Sequence, residues 1–225
     1  MLVHCWLHDV PGILHCDLSP NNIMCHWIEE MDVEGKPKKK VYRVLTNYDL
    51  LSWTAQLKKD STGSSQYWTG TPPFMVLDLF DGLSPTHLYR HDIESPFYVM
   101  LLMCCCDTFS LVESKTEEPL QLAMQQTTNL PYQHWFDEHS YETLGNCKSA
   151  FFSAFQAIKL PSTYKDFYPW LSGLQFQFSG RFQAKNAYIY EQKMVRRGKS
   201  SASRVCHKYN CLPQKYHTFA RKFMT

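Results

Sequence analysis

The sequence has no hydrophobic run long enough to span a lipid bilayer. Its longest apolar run, residues 97–106, is about half of the roughly 20 residues that a transmembrane helix needs. We therefore expect a buried helix there and no membrane association. The sequence also has no internal repeat and no signal-peptide pattern. Its nine cysteines are an odd number without the spacing of a secreted disulfide framework, which favours a reducing, intracellular location.

Acidic residues are missing from the C-terminal part of the chain. Residues 192–225 contain nine Lys or Arg and no Asp or Glu, so the rest carries 14 basic (23 minus 9) and 21 acidic residues, a net charge of −7. We predict one domain over residues 1–185 and a basic, disordered tail over residues 186–225. A solubilising tail explains this composition at least as well as nucleic-acid binding. The tail's Cys206, His207, Cys211 and His217 do not have the spacing of a zinc finger.

The remaining composition is that of a globular domain with a well-filled core, since 44% of residues are hydrophobic and 15% are aromatic. Alternating residues at 23–28 and 41–46 predict two strands joined by a polar turn over residues 29–40. The lysine cluster in this turn favours a solvent-exposed turn over an anion-binding site. Apolar spacing predicts helices at 91–106, 147–160 and in the first half of 167–182. The expected fold class is mainly α with a small β-hairpin.

The stretch at residues 14–24, with sequence L-H-C-D-L-S-P-N-N-I-M, carries the chemistry. Asp17 follows a His-x pair, and Asn22 lies five residues later. In phosphoryl transfer such an aspartate accepts the proton of the attacking hydroxyl, and such an asparagine gives a neutral oxygen to Mg²⁺. Both groups must be held on one rigid loop, because the catalysis depends on positioning and charge stabilisation. A capped loop in an unrelated α/β protein is the alternative.

Four motifs in order resemble the C-terminal lobe of fungal-type protein kinases. H-C-D-L-S-P-N-N-I-M resembles the family's catalytic loop, H-R-D-I-S-x-x-N-I-M, and T-N-Y-D-L resembles its magnesium motif, I-D-F-D-L. T-G-T-P-P-F-M-V-L-D-L resembles the end of its activation segment, and H-D-I-E-S-P-F-Y-V resembles the start of the next helix. The resemblance covers roughly residues 8–180, and it implies a kinase-like C-lobe that binds Mg²⁺ and ATP and acts on a protein substrate.

The resemblance also assigns residues. Asp17 would be the base or substrate-orienting residue, Thr71 would lie beside the substrate serine or threonine, and Ser19 belongs to the same catalytic set. The metal and nucleotide side would use Asn22 and Asn47, with Asp49 as a possible substitute ligand. The structural residues would be His15, Asp78 and Asp92, of which Asp92 accepts hydrogen bonds from the catalytic-loop backbone. Arg181 is a candidate partner for Asp78.

Three departures from the family pattern predict weak or absent binding of Mg²⁺ and ATP, and no activity of the chain alone. Asn47 replaces the Asp whose charge holds the metal ions, and Cys16 replaces the Arg that pairs with a phosphorylated activation loop. Only 14 residues precede His15, so the Gly-rich loop and strand lysine that hold ATP from above are missing. We expect a C-lobe truncated at its N-terminus, without its N-terminal lobe, and inactive alone.

Two other functions stay open. One is a non-catalytic pseudokinase fragment that serves as an interaction surface. The other is a choline- or aminoglycoside-type small-molecule phosphotransferase, which also uses H-x-D with an asparagine five residues on. The activation-segment and helix motifs argue against the second, because those enzymes lack a peptide-docking segment.

Overall fold

A computed structural model describes residues 2–53, 70–80, 87–105, 135, 140–154 and 158–196. Its helices are α1 (Leu2–Asp9), α2 (Tyr89–Cys105), α3 (Tyr141–Ser153) and α4 (Tyr168–Arg196). Its strands are β1 (Ile13–Leu14), β2 (Ile23–Met31), β3 (Pro37–Leu45) and β4 (Ser52–Trp53). Short 3₁₀ turns occupy Pro20–Asn22, Pro72–Phe74, Leu77–Phe80 and Ser162–Phe167. The described part is thus mainly helical with small antiparallel sheets, as the sequence predicts at this level.

The β2–β3 hairpin follows the catalytic-loop sequence directly. Ile23 pairs with Leu45 and Met31 with Pro37, so the strands are longer than expected and the prediction of a turn over residues 29–40 is wrong. The turn spans only residues 32–36, because one carboxylate oxygen of Asp32 accepts the amide hydrogens of both Glu34 and Lys36. Nearly every residue of both strands is exposed, so the hairpin projects from the core.

The helical predictions need two corrections. The structure begins α3 after Ser140, whose hydroxyl accepts the amide hydrogen of Thr143 as an N-cap, and the helix ends at Ser153. It therefore starts and ends several residues before the predicted 147–160. Helix α4 extends well beyond the predicted half-helix and passes the expected domain boundary at 185/186 without interruption.

The core lies between α2, α3, α4 and residues 74–79. Its largest fully buried side chains include Phe97, Tyr98, Phe151, Phe152 and Leu171. Burying an aromatic or leucine side chain contributes about 1.5–3 kcal/mol, so this cluster accounts for much of the stability. It fixes α2 and residues 74–79, which flank the candidate site.

Several predictions lie outside the described residues. They are the predictions for the tail from residue 197 onward, including its cysteines and histidines. Among the described helices, none combines the length and apolar character that crossing a membrane requires.

Candidate active site

The loop from His15 to Asn22 is fixed at both ends by secondary structure. Strand β1 leads into it and pairs with β4, and Pro20 starts the 3₁₀ turn that leads to β2. His15 is fully buried; its Nε2 lies 2.9 Å from the Thr46 carbonyl oxygen, and its Nδ1 accepts the Asp17 amide hydrogen at 3.3 Å. The imidazole therefore ties the loop to the end of β3.

The Asp17 carboxylate lies at the centre of the hydrogen-bond network. Its Oδ1 accepts the amide hydrogen and the hydroxyl hydrogen of Thr71, at 2.7 and 2.9 Å. Its Oδ2 accepts a hydrogen from Asn22 Nδ2 at 2.8 Å. A carboxylate offers about four acceptor positions, and the described residues fill three of them, which leaves one on Oδ2. Asp17 and Thr71 are half-buried and line a small cavity, where a hydroxyl could approach.

Gly70 allows Thr71 to reach Asp17. Its φ of +116° lies in the region that L side chains rarely adopt, and a Cβ there would lie 3.1 Å from the Cys16 carbonyl oxygen and 3.3 Å from Met75 Cγ. A larger residue would therefore meet both strain and crowding. The close approach of residues 70–71 to the catalytic loop depends on this glycine.

Asn22 and Asn47 lie side by side at the other edge of the site. Asn47 Nδ2 donates to Asn22 Oδ1 at 3.2 Å, and Asn22 Nδ2 donates to both the side chain and the backbone carbonyl of Asp17. Asn47 has a φ of 58°, a left-handed conformation that asparagine tolerates better than most residues. Asp17, Asn22 and Asn47 thus form one connected chain of side chains.

Comparison with known proteins supports the motif assignment. Residues 2–104 match the family model of the fungal protein kinase. The resemblance to fungal-type protein kinases is therefore confirmed over this segment, which contains the catalytic-loop, magnesium, activation-segment and helix motifs. No curated protein and no solved structure matches the chain.

The fungal protein kinase motifs also explain the contacts of Asp92, in the first turn of α2. Its Oδ2 accepts the His15 amide hydrogen at 2.6 Å, and its Oδ1 accepts that of Cys16 at 3.0 Å. His4 Nε2 and His87 Nε2 lie 3.0 and 2.9 Å from the same carboxylate. The carboxylate therefore holds the catalytic-loop backbone against α2, which is the contact that the kinase resemblance implies.

Electrostatics at Asp92 favour its ionised form. Burial alone would raise the pKa of Asp92, but the hydrogen bonds from His4 and His87 hold it well below its usual range. Burial likewise disfavours the charged form of His87, but the hydrogen bonds and charges of Asp92 and Cys16 together outweigh burial and raise the pKa of His87 to about 9. No sequence pattern pairs His4 with Asp92, because the two residues lie 88 positions apart. His87 lies five residues before Asp92, but no motif singles it out.

Asp78, at the end of the kinase-like activation-segment motif, is buried among cations. Arg90 and Arg181 lie 3.2 and 3.1 Å from its Oδ2, and Lys185 lies 2.8 Å from its Oδ1. Arg181 also contacts Glu94 at 2.8 Å. Burial would raise the pKa of Asp78, but the nearby His91 imidazole and the charges of Arg181 and Lys185 hold it well below its usual range.

The remaining predicted residues are less closely involved. The Ser19 hydroxyl is buried and has no hydrogen-bond partner in the described part of the chain, so the structure does not bring it to Asp17. Asp49 is exposed and, among the described contacts, bonds neither to Asn22 nor to Asn47. Cys16, at the position of the family's arginine, is buried with a left-handed φ of 66°.

One important residue had no predicted role. Lys148 of α3 is fully buried, and its Nζ donates to the carbonyl oxygens of Pro73 and Met75. The amine lies 3.8 Å from the centre of the Tyr98 ring, and burial lowers its pKa well below the usual range. It fixes the turn that follows Thr71. Helical spacing predicts a buried face but not this polar contact.

The side chains fit a magnesium ion poorly. The two amides at Asn22 and Asn47 offer neutral oxygens, whereas Mg²⁺ in phosphotransferases is held by carboxylates together with phosphates. One of the two acceptor positions of the Asn22 oxygen is moreover filled by the amide hydrogen of Asn47. Among the described residues, no Lys or Arg contacts Asp17, Asn22 or Asn47. The hydroxyl-binding side of the site is therefore better developed than its metal side.

Proposed function

We propose that this chain is the C-terminal lobe of a fungal-type protein kinase that has kept the hydroxyl-orienting half of a phosphoryl-transfer site. The observation that carries this proposal is the Asp17 carboxylate, which Thr71 and Asn22 hold in place, while the described residues leave one acceptor position on Oδ2 unfilled. In the family the group that approaches such an aspartate is a protein serine or threonine hydroxyl, and Asp17 would orient it and accept its proton.

The chain is proposed to be inactive by itself. Mg²⁺ and ATP would be needed to supply the phosphoryl group and to neutralise its charge. The residues that correspond to the metal side, Asn22 and Asn47, contribute no charge. This favours a lobe that binds a protein partner without transferring phosphate, which is the pseudokinase alternative.

Two experiments test the proposal. Thermal melting of the chain should give the same midpoint with Mg-ATP as with ATP and EDTA; a Mg²⁺-dependent rise would contradict inactivity. Phosphate transfer from radiolabelled ATP to casein should be undetectable. Transfer by the parent chain that disappears in Asp17→Asn would overturn inactivity while supporting the assignment of Asp17.

A gain-of-binding variant tests the metal side directly. Asn47→Asp places a carboxylate beside the Asn22 oxygen and should tighten Mn²⁺ binding at least about tenfold, because hard divalent ions prefer charged oxygen ligands. Mn²⁺ binding can be followed by the loss of the free-ion electron paramagnetic resonance signal. An isosteric control at an exposed position of the same region is Asn21→Asp, which should leave Mn²⁺ binding unchanged. Equal affinities in both variants would refute the placement of the metal side.

A further inference from the structure

A cysteine, a histidine and an aspartate from separate parts of the chain meet behind the catalytic loop. Cys16 precedes Asp17 in the loop, His87 precedes α2, and Asp92 lies in the first turn of α2. The Cys16 Sγ, a ring nitrogen of His87 and a carboxylate oxygen of Asp92 all lie within 4.8 Å of one another. All three are shielded from solvent, with Cys16 4% exposed and the side chains of His87 and Asp92 10% and 1% exposed.

We propose that Cys16, His87 and Asp92 form a three-ligand site for Zn²⁺. Thiolate, imidazole and carboxylate are the three ligand types that zinc uses in proteins, at about 2.0–2.3 Å from the metal. Bond lengths of that size place neighbouring ligand atoms of a tetrahedral site about 3–4 Å apart. The observed separations, at most 4.8 Å, therefore need only small adjustments, in which the 2.9 Å distance between His87 Nε2 and Asp92 Oδ1 widens to admit the metal. Sulfur and nitrogen ligands exclude the hard ions Mg²⁺ and Ca²⁺.

Asp92 can bind the metal and still accept the hydrogen bonds of both catalytic-loop amides. Its carboxylate has about four acceptor positions, and four donors lie on them: the His15 and Cys16 amides and the rings of His4 and His87. Zn²⁺ would replace the hydrogen that His87 shares with Asp92, so the number of partners stays the same. Both backbone amides would stay bound.

The surroundings leave room for a fourth ligand. Cys16 and His87 both line the small cavity that also touches Asp17 and Thr71. A catalytic or regulatory zinc site keeps such an open position for water. The Nδ1 atom of His87 is buried and has no hydrogen-bond partner in the described part of the chain, so the protein alone does not saturate this imidazole.

Zinc bound there would join the residue preceding Asp17 to the start of α2. Metal sites that link separate chain segments contribute their binding free energy to folding. The zinc ligands differ from Asp17, Asn22 and Asn47, so the site stands whether or not the chain takes part in phosphoryl transfer.

Cobalt substitution tests this site in the full chain. Zn²⁺ is spectroscopically silent because its d shell is full, whereas tetrahedral Co²⁺ bound to a thiolate absorbs through sulfur-to-metal charge transfer. After treatment with EDTA and a reductant, titration with Co²⁺ should produce this band at a single ion per chain, and Zn²⁺ should abolish it. No charge-transfer band in the parent chain would overturn the proposal.

Matched variants identify the cysteine. Cys16→Ser should remove the charge-transfer band, whereas Cys25→Ser, on the exposed hairpin, should leave it unchanged. The tail variant Cys206→Ser/Cys211→Ser should also retain it. A band that survives Cys16→Ser, or that disappears with the tail cysteines, would refute the site.

A histidine variant covers the case in which Cys16→Ser fails to fold. His87→Gln keeps the thiolate, so the band should persist at saturating Co²⁺, but the affinity should fall at least about 100-fold. Loss of a residue that only hydrogen-bonds to a metal ligand lowers metal affinity about 10–100-fold, so loss of a ligand itself should lower it by at least the upper end of that range. Unchanged affinity in His87→Gln would overturn the proposal irrespective of the Cys16 result.

Discussion

Replacing Arg181 by Met should destabilise the domain strongly. This guanidinium contacts two buried carboxylates, Asp78 at 3.1 Å and Glu94 at 2.8 Å. Removing one partner of a buried ion pair typically costs about 3–5 kcal/mol, because the remaining charge stays buried and uncompensated. Asp78 would keep Arg90 and Lys185. Glu94 would keep the hydrogen bonds from Tyr98 and Leu77, which are neutral donors, so most of the loss should arise at Glu94.

We therefore expect Arg181→Met to lower the free energy of unfolding by about 3 kcal/mol, the lower end of that range. Single domains have about 5–15 kcal/mol of stability in total, so the shift should be evident in urea denaturation monitored by tryptophan fluorescence. Lys193→Met, at an exposed position of the same helix, should change stability by less than about 0.5 kcal/mol. A loss below about 1 kcal/mol in Arg181→Met, with an unchanged denaturant slope, would refute the reasoning.

The same cluster predicts an acid limb in the stability curve. In the folded state the pKa of Asp78 lies well below its ordinary value of 3.8. A group with a depressed pKa stabilises the folded state above its unfolded pKa, and this contribution is lost as pH falls below it. Stability should therefore decline below pH 3.8, and Asp78→Asn should reduce the steepness of that decline. An acid limb of equal slope in the variant would contradict the assignment to Asp78.

Two further substitutions examine the support of the catalytic loop. Lys148→Met should lower the free energy of unfolding by about 1–3 kcal/mol, because it leaves two carbonyl oxygens unpaired, whereas Lys159→Met at an exposed position should cause no measurable loss. The pKa of Lys148 is lowered from 10.5, so the stability of the parent relative to Lys148→Met should rise with pH up to that value. A stability difference that does not change with pH would exclude this linkage. Gly70→Ala should lower the free energy of unfolding by at least about 2 kcal/mol, because the new methyl group meets both backbone strain and crowding. Gly35→Ala should lower it by about 1 kcal/mol through strain alone, because a Cβ there meets nothing within 4 Å. Equal losses of stability in urea denaturation would show that the contact of Gly70 with the loop is unimportant.

Local sequence signals predicted the elements around the site better than their ends. The β-hairpin was predicted because its strands alternate, but its charged half was assigned to the turn. The structure pairs Glu29 with Lys39 and Glu30 with Lys38 across the strands, so charges that look like a loop in the sequence belong to a ladder. Apolar spacing alone places the start of α3 too late, because the helix begins directly after Ser140, a preferred N-cap residue.

The contacts of the site depend on pairs distant in sequence, which single-sequence patterns do not encode. Family motifs pointed to Asp17, Asn22, Asp78 and Asp92, and all of these lie in the connected networks described above. They could not show that His4 would contact Asp92 or that Lys148 would hold the turn after Thr71. Nor could they show that the Ser19 hydroxyl is buried without a hydrogen-bond partner in the described part of the chain, because that depends on how the 3₁₀ turn packs.

The charge balance of the site links its nucleotide and metal requirements. Asp17 is the one carboxylate among Asp17, Thr71, Asn22 and Asn47, and no described Lys or Arg contacts them. Like charges about 4 Å apart repel by about 4 kcal/mol at an effective dielectric constant of 20, so a phosphate could approach Asp17 only together with a cation. Because the two neutral amides of Asn22 and Asn47 are weak ligands, that cation should bind with low affinity. The affinity for ATP should therefore be limited by the weak binding of the metal. Asn47→Asp should increase the affinity for Mn²⁺ more than it increases the affinity for the nucleotide.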